Sequence, residues 1–198
     1  MRLNSAVSQV KQLLPDLEPD IQIVTEFGEY NRVMQFRHQH MPRYCPDIER
    51  FDLDPGDEDS LIFYTLNSGG NISSTARLAV DGERGLPDEA ILRDYVSSTR
   101  QAGQHVVELG RFINESPSSS LLKSYYHVFY RAAKLLSVEQ IAMVLRQCYI
   151  SFHVNVVGAH CPCEDTGVTF GGEDHYGVVT WNLEQSKARF LRWIGEEK

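Results

Sequence analysis

A glutamate and an arginine, Glu108 and Arg111, stand three residues apart inside the otherwise apolar run from Val106 to Ile113. With Val, Leu, Phe and Ile on both sides of the strand period, the run predicts a central strand covered on both faces. Charges in such a place must be paired or put to use. Strict alternation puts Val106, Glu108, Gly110 and Phe112 on one face and Val107, Leu109, Arg111 and Ile113 on the other. Gly110, between the two charges, marks a bulge or a close backbone approach. The chemistry open to a carboxylate held there is general-base catalysis, and a structural ion pair is the ordinary alternative. A second guanidinium, Arg77, falls in another strand-like segment and needs an anion to hold.

Two further groups of reactive side chains carry weaker signals. The segment Asp47-Ile48-Glu49-Arg50-Phe51-Asp52 is followed by Asp57, Glu58 and Asp59, and such a run is ordinarily a solvated loop. His160-Cys161-Pro162-Cys163, with His153 or His175, offers soft metal ligands, but Cys-x-Cys is not the usual zinc spacing and no metal is expected. The four cysteines, Cys45, Cys148, Cys161 and Cys163, are read as reduced thiols, none in an activating motif.

The elements that must position these groups follow from periodicity. The chain has 198 residues, 42% of them hydrophobic, which fits one domain over residues 1–198. A net charge of -8 argues against nucleic-acid binding. No apolar run reaches the length of a bilayer span and no signal peptide is visible, so no membrane association and a cytoplasmic location are expected. A strand is predicted over Ile21 to Phe27, then a helix from Glu29 to His40. A polar loop runs from Tyr44 to Asp59. The hairpin Leu61 to Leu66 and Ile72 to Val80 turns through Asn-Ser-Gly-Gly-Asn. A helix from about Asp88 to Gln101 precedes the central strand, and the polar Asn-Glu-Ser-Pro-Ser-Ser-Ser leads into a long helix, Leu121 to Leu136. Ile141 to Leu145 reads as a buried strand, Gln147 to Val157 as a helix ended by Gly158, and Gly177 to Leu183 as a strand before a last helix with Phe190, Leu191 and Trp193. Gly171-Gly172 is read as a turn. This order predicts a three-layer α/β/α sandwich around a mixed, largely antiparallel sheet.

Arg32 with Phe36, the acidic segment Asp47, Glu49 and Asp52, then Arg77-Leu78, then Glu108-Leu109-Gly110-Arg111-Phe112 together resemble the acyl-homoserine-lactone synthases, over residues ~20 to ~115. That family has the fold of GNAT-type N-acyltransferases. The resemblance implies transfer of an acyl chain from acyl carrier protein to the amine of S-adenosylmethionine, then lactone closure with release of methylthioadenosine. It assigns catalysis to Glu108 and Arg111, and substrate binding to Arg32, Phe36, Asp47, Glu49, Asp52 and Arg77. No cofactor is implied beyond the phosphopantetheine carried by the donor. Met143, in the strand where the family carries a threonine for 3-oxo donors, implies an apolar wall for an unsubstituted acyl chain. Basic docking residues for acyl carrier protein are expected at Arg131, Lys134 and Arg146. No glycine-rich coenzyme A loop is evident, which favours the carrier-protein donor. Two departures stand out: Met41 and Pro42 occupy the place of the family's tryptophan, and the connection Arg43 to Asp59 has extra acids. The long-chain N-acyl amino acid synthases, with the same fold and a similar Glu-x-x-Arg strand, are the competing reading.

Overall fold

The computed structural model describes residues 9–10, 12, 18, 20–40, 54, 56–115, 118–170 and 172–196. Among them seven strands form one sheet in the order β1-β2-β3-β4-β5-β7-β6. Strand β1 is Ile21–Ile23, β2 Ser60–Leu66, β3 Ile72–Val80, β4 Val106–Asn114, β5 Gln140–Arg146, β6 His160–Cys163 and β7 Tyr176–Asn182. The helices are α1 (Phe27–His40), α2 (Glu89–Gln101), α3 (Ser119–Leu135), α4 (Gln147–Phe152), which runs on as a π-helical stretch over His153–Val157, and α5 (Ala188–Ile194). Every strand pair is antiparallel except β4 with β5, which is parallel. The predicted sandwich and its mixed, mainly antiparallel sheet are what the chain adopts.

Two elements differ from the sequence-based expectation. Strand β1 stops at Ile23, because Glu29 reaches back to accept the N–H groups of Thr25 (2.7 Å) and Glu26 (3.2 Å), which starts α1 at Phe27. The His-Cys-Pro-Cys segment is a strand, β6, at the edge of the sheet. Pro162 has no N–H to give, which an edge position with a register shift between His160 and Cys163 accommodates.

One face of the sheet carries a continuous apolar core. Phe63, Leu78, Val107, Leu109, Ile141, Met143 and Trp181 point toward α3, the π-helical stretch and α5. Phe129 of α3 lies within 6.0 Å, ring centre to ring centre, of Phe63, Phe112, Tyr125 and Tyr126. Two tyrosines bring polar ends into this core and both are satisfied. The hydroxyl of Tyr125 is 2.7 Å from Ser74 Oγ, which meets Thr65 Oγ1 at 2.5 Å. His153 holds its Nδ1 2.8 Å from the Tyr149 carbonyl, so Nδ1 carries the proton and Nε2 accepts from the Tyr126 hydroxyl at 2.6 Å. Gly158, at φ 96, ends the π-helical stretch, a conformation that favours glycine.

The opposite face has two smaller apolar clusters. Under α1, Val33 and Phe36 pack on Ile62, Tyr64, Ile72 and Ile113. Under α2, Leu92 and Val96 pack on Val106, Ala142 and Val178. The strip between the two belongs to charged side chains.

Candidate active site

Strands β4 and β5 pair only through Val106–Gln140, Val107–Ile141 and Glu108–Ala142. Beyond Glu108 the two strands part, while β5 continues along β7 to Arg146. Glu108 therefore sits at the apex of a gap in the sheet, past which β4 has no strand partner on the β5 side among the described residues.

A bulge makes the second feature of β4. Arg77 pairs with Gly110 and Thr75 with Ile113, so two steps along β3 are matched by three along β4. Arg111 is the residue at the irregularity, with φ 53, a left-handed conformation uncommon for a residue with a side chain. The expected alternation is corrected by this bulge. Past it the faces exchange: Phe112 packs on Tyr125 and Phe129 in the α3 core, Ile113 joins the α1 cluster, and Arg111 shares the side of Glu108 instead of the opposite one.

Around Glu108 three guanidinium groups and three carboxylates interlock. Arg77, fully buried in β3, places Nη1 2.8 Å from Asp54 Oδ1 and 3.5 Å from Asp57 Oδ1, and Nη2 3.4 Å from Glu108 Oε1. Arg111 Nε donates to Asp54 Oδ2 at 2.7 Å. Arg37 of α1 donates Nη1 to both oxygens of Asp57, at 3.0 and 2.8 Å, and Tyr30 adds its hydroxyl at 3.0 Å. Donors are in surplus: among the described residues Arg37 Nε and Nη2 and Arg77 Nε are buried without a hydrogen-bond partner. Burial pushes Asp54 up, but Arg111, Arg77 and the Arg111 hydrogen bond outweigh it and hold the carboxyl well below its ordinary range.

Glu108 goes the other way. Its Oε2 accepts the Asp88 N–H at 2.8 Å, and the Arg77 contact to Oε1 is long. Burial, with the nearby Asp88 charge, pushes its pKa up to about 7, against the pull of the Asp88 N–H, Arg77 and Arg111. A carboxylate of that proton affinity takes up a proton at neutral pH. Two glycines permit the packing. A Cβ on Gly110 would lie 3.3 Å from Glu108 Oε1, and one on Gly56 2.5 Å from Pro87 Cγ and 2.7 Å from Arg77 Nη1.

Of the residues singled out from the sequence, Arg77, Glu108 and Arg111 meet here. Asp47, Glu49 and Asp52 lie outside the described residues, as do Met41 and Pro42. Arg32 is exposed, its Nη2 donating to the Gly70 carbonyl at 2.7 Å in the β2–β3 turn, and is not among the groups gathered around Arg77. Phe36 is buried in the α1 cluster against His40. Met143 is buried in the α3-side core. Of the expected docking residues, Arg131 pairs with Glu196 at 3.4 Å, Lys134 lies over the Tyr130 ring, and Arg146 pairs with Asp174. His153 is engaged by Tyr126, and His175 by Asp165 at 3.1 Å.

Sequence reasoning missed Arg37, Asp54 and Asp88, and it read Asp57 as part of a solvated loop, whereas Asp57 is buried because Arg37 and Arg77 compensate its charge. One signal was present: Val33, Phe36 and Arg37 fall three and four residues apart, so the arginine turns inward with the apolar side chains.

This mixed sheet, with its central parallel pair parting at a buried carboxylate, has its likeness among acyltransferases. The structure of FeeM, an N-acyl amino acid synthase from uncultured soil microbes, superposes with TM-score 0.68 at 13% identity, covering 89% of this chain and 93% of that one. The acyl-homoserine-lactone synthase LasI gives 0.62 at 12% identity, covering 88% and 93%. An N-acetyltransferase from Staphylococcus aureus gives 0.52 at 13% identity, covering 83% and 97%. No curated protein matches by sequence. The family described as N-acyl amino acid synthase FeeM matches residues 48–166, and the chain belongs to that family.

Proposed function

We propose that this protein is an N-acyltransferase that moves an acyl chain from a thioester on acyl carrier protein to the amine of a free amino acid. The observation that carries the reading is Glu108, buried where β4 and β5 part and raised to about 7. In the reaction Glu108 takes a proton from the acceptor's ammonium, directly or through water, and the freed amine attacks the thioester carbonyl. A backbone N–H of the β4 edge past Glu108 faces the resulting oxyanion. The tetrahedral intermediate collapses as its nitrogen gives up a second proton to the departing phosphopantetheine thiolate, the acyl amide leaves, and Glu108 returns its own proton to solvent. Arg111 is the most exposed of the three guanidiniums, with 22% of its side chain accessible against 2% for Arg37 and none for Arg77. In this reading Arg111 meets the acceptor's carboxylate.

An amino acid is favoured over S-adenosylmethionine because Asp54 and Asp57 are both taken up by arginine. Of the carboxylates around Arg77, that leaves Glu108 to face one ammonium. The second reading, an acyl-homoserine-lactone synthase, rests on Asp47, Glu49 and Asp52, three carboxylates in the sequence just before this group and suited to a substrate with two cations. The test incubates the protein with acyl carrier proteins of several chain lengths and either mixed amino acids or S-adenosylmethionine, with mass detection of products. An acyl amino acid without methylthioadenosine is expected. Methylthioadenosine with an acyl lactone would install the second reading. Glu108→Gln is expected to lose ~10²-fold or more of the rate, and near-normal turnover of the folded variant would remove Glu108 from the mechanism.

A further inference from the structure

The N–H that holds Glu108 belongs to Asp88, at the N-cap of α2. An aspartate there ordinarily turns its carboxylate onto the first N–H groups of the helix. Asp88 does not: with φ -96 and ψ 35 it makes no side-chain capping bond. Glu89 instead secures the turn before the helix: it accepts the Leu86 N–H at 3.1 Å and is itself held by Arg100, whose guanidinium also grips Asp81. Pro87, packed on Gly56, fixes the same turn from the other side. The turn is thus anchored by its neighbours, and the Asp88 carboxylate, half-buried, takes part in no hydrogen bond or ion pair among the described residues.

The charges that face Glu108 come from three elements. Arg77 approaches from β3 and Arg111 from β4 itself, both further tied to Asp54, while Asp88 approaches from the start of α2. Beside Glu108 on β5 is Ala142, which has no charge, and the pair of Arg37 in α1 with Asp57 just before β2 lies beyond Arg77. Burial is the larger opponent of the two arginines at Glu108. The Asp88 carboxylate, unpaired among the described residues, adds a negative charge on the same side.

We propose that Asp88 is the positioning residue of Glu108: its N–H sets the direction of the carboxylate, and its own carboxylate, unpaired among the described residues, adds a negative charge that opposes Arg77 and Arg111 there. This rests on the reading of Glu108 as the base. It separates two roles that one residue performs with opposite sign, a backbone contact that favours the anion and a side-chain charge that disfavours it.

The test follows the side-chain carboxyl signals of glutamate by carbon NMR against pH in the full chain, with the Glu108 signal assigned by its loss in Glu108→Gln. The wild-type midpoint is expected near pH 7. Asp88→Asn retains the N–H and the shape and is expected to lower the midpoint by roughly one pH unit. Asp88→Glu, which restores the charge, is expected to leave it near the wild-type value, and Asp88→Ser serves as a second neutral replacement should Asn disturb the turn. A midpoint that stays in place in both neutral variants, or moves equally in the Glu variant, overturns the proposal. The acidic limb of the acyl-transfer rate is measured alongside. If it follows the NMR midpoint, both readings stand together. A shifted midpoint with an unmoved limb keeps the role of Asp88 and removes Glu108 as the base, whereas a fixed midpoint in an enzyme that depends on Glu108 removes Asp88 alone.

Discussion

On the α3 side of the sheet, Phe63, Leu78, Val107 and Leu109 continue from strand to strand as one apolar surface, while on the α1 and α2 side the same three strands present Ile62, Arg77 and Glu108. The first surface is held by area and shape, which any side chain of similar volume can supply. The second is held by particular pairs, because each buried charge depends on the partner that compensates it. Apolar packing and buried charge are thereby assigned to different faces of one sheet, and the Glu108 carboxylate is kept away from the larger apolar core.

The sharpest break of this contrast comes from one substitution on each face. Arg77→Met leaves Asp54 and Asp57 short of a cation in a buried place and is expected to cost about 3–5 kcal/mol in urea unfolding. Ile141→Leu, fully buried on the other face, is expected to cost less than about 1.5 kcal/mol. Equal costs would mean that the charged strip is packed like the core.

A smaller effect separates the faces by pH. Glu108 has a folded pKa of about 7 against an ordinary 4.5, so the folded chain binds more protons than the unfolded chain between these values, and stability falls as pH rises through that window. The loss is roughly 2–3 kcal/mol by linkage. Glu108→Gln is expected to flatten this decline, as measured by unfolding at pH 5 and pH 8. Asp54 has the opposite sign: held low, it contributes stability above the ordinary aspartate range that is lost only as pH falls below about 4.

The smallest expected effect lies where the apolar face contains a polar chain. Tyr125→Phe removes the hydroxyl that meets Ser74 and is expected to cost about 1 kcal/mol, with no change in acyl transfer. A large loss of activity would extend the reactive region through the sheet.

Much of this was readable in the residues themselves. The hairpin, the long helix and the central strand follow from apolar periodicity, and Glu108 and Arg77 declared themselves as charges where apolar residues belong. Three things did not. An acidic run has no period, so nothing in it distinguishes Asp54 and Asp57, which pair with arginine, from Asp47, Glu49 and Asp52. Strand β6 was hidden by Pro162, which argues against a strand except at an edge, and edges are set by the sheet and not by the segment. The face of Arg111 was misread because counting by twos assumes that no residue is inserted, although Gly110 hinted at a bulge.

That bulge has one more consequence. With Arg111 struck out, Val106-Val107-Glu108-Leu109-Gly110-Phe112-Ile113 alternates without a break: Val107, Leu109 and Phe112 fall to the α3 side, and Glu108, Gly110 and Ile113 to the other. Seen from the ladder, the arginine is supernumerary, since the strand would be grammatical without it. A backbone in an uncommon conformation, at a cost on the order of 1 kcal/mol, admits a guanidinium to the charged side while leaving both flanking cores in register. Functional groups and structural ones can thus occupy one strand without competing for the same positions.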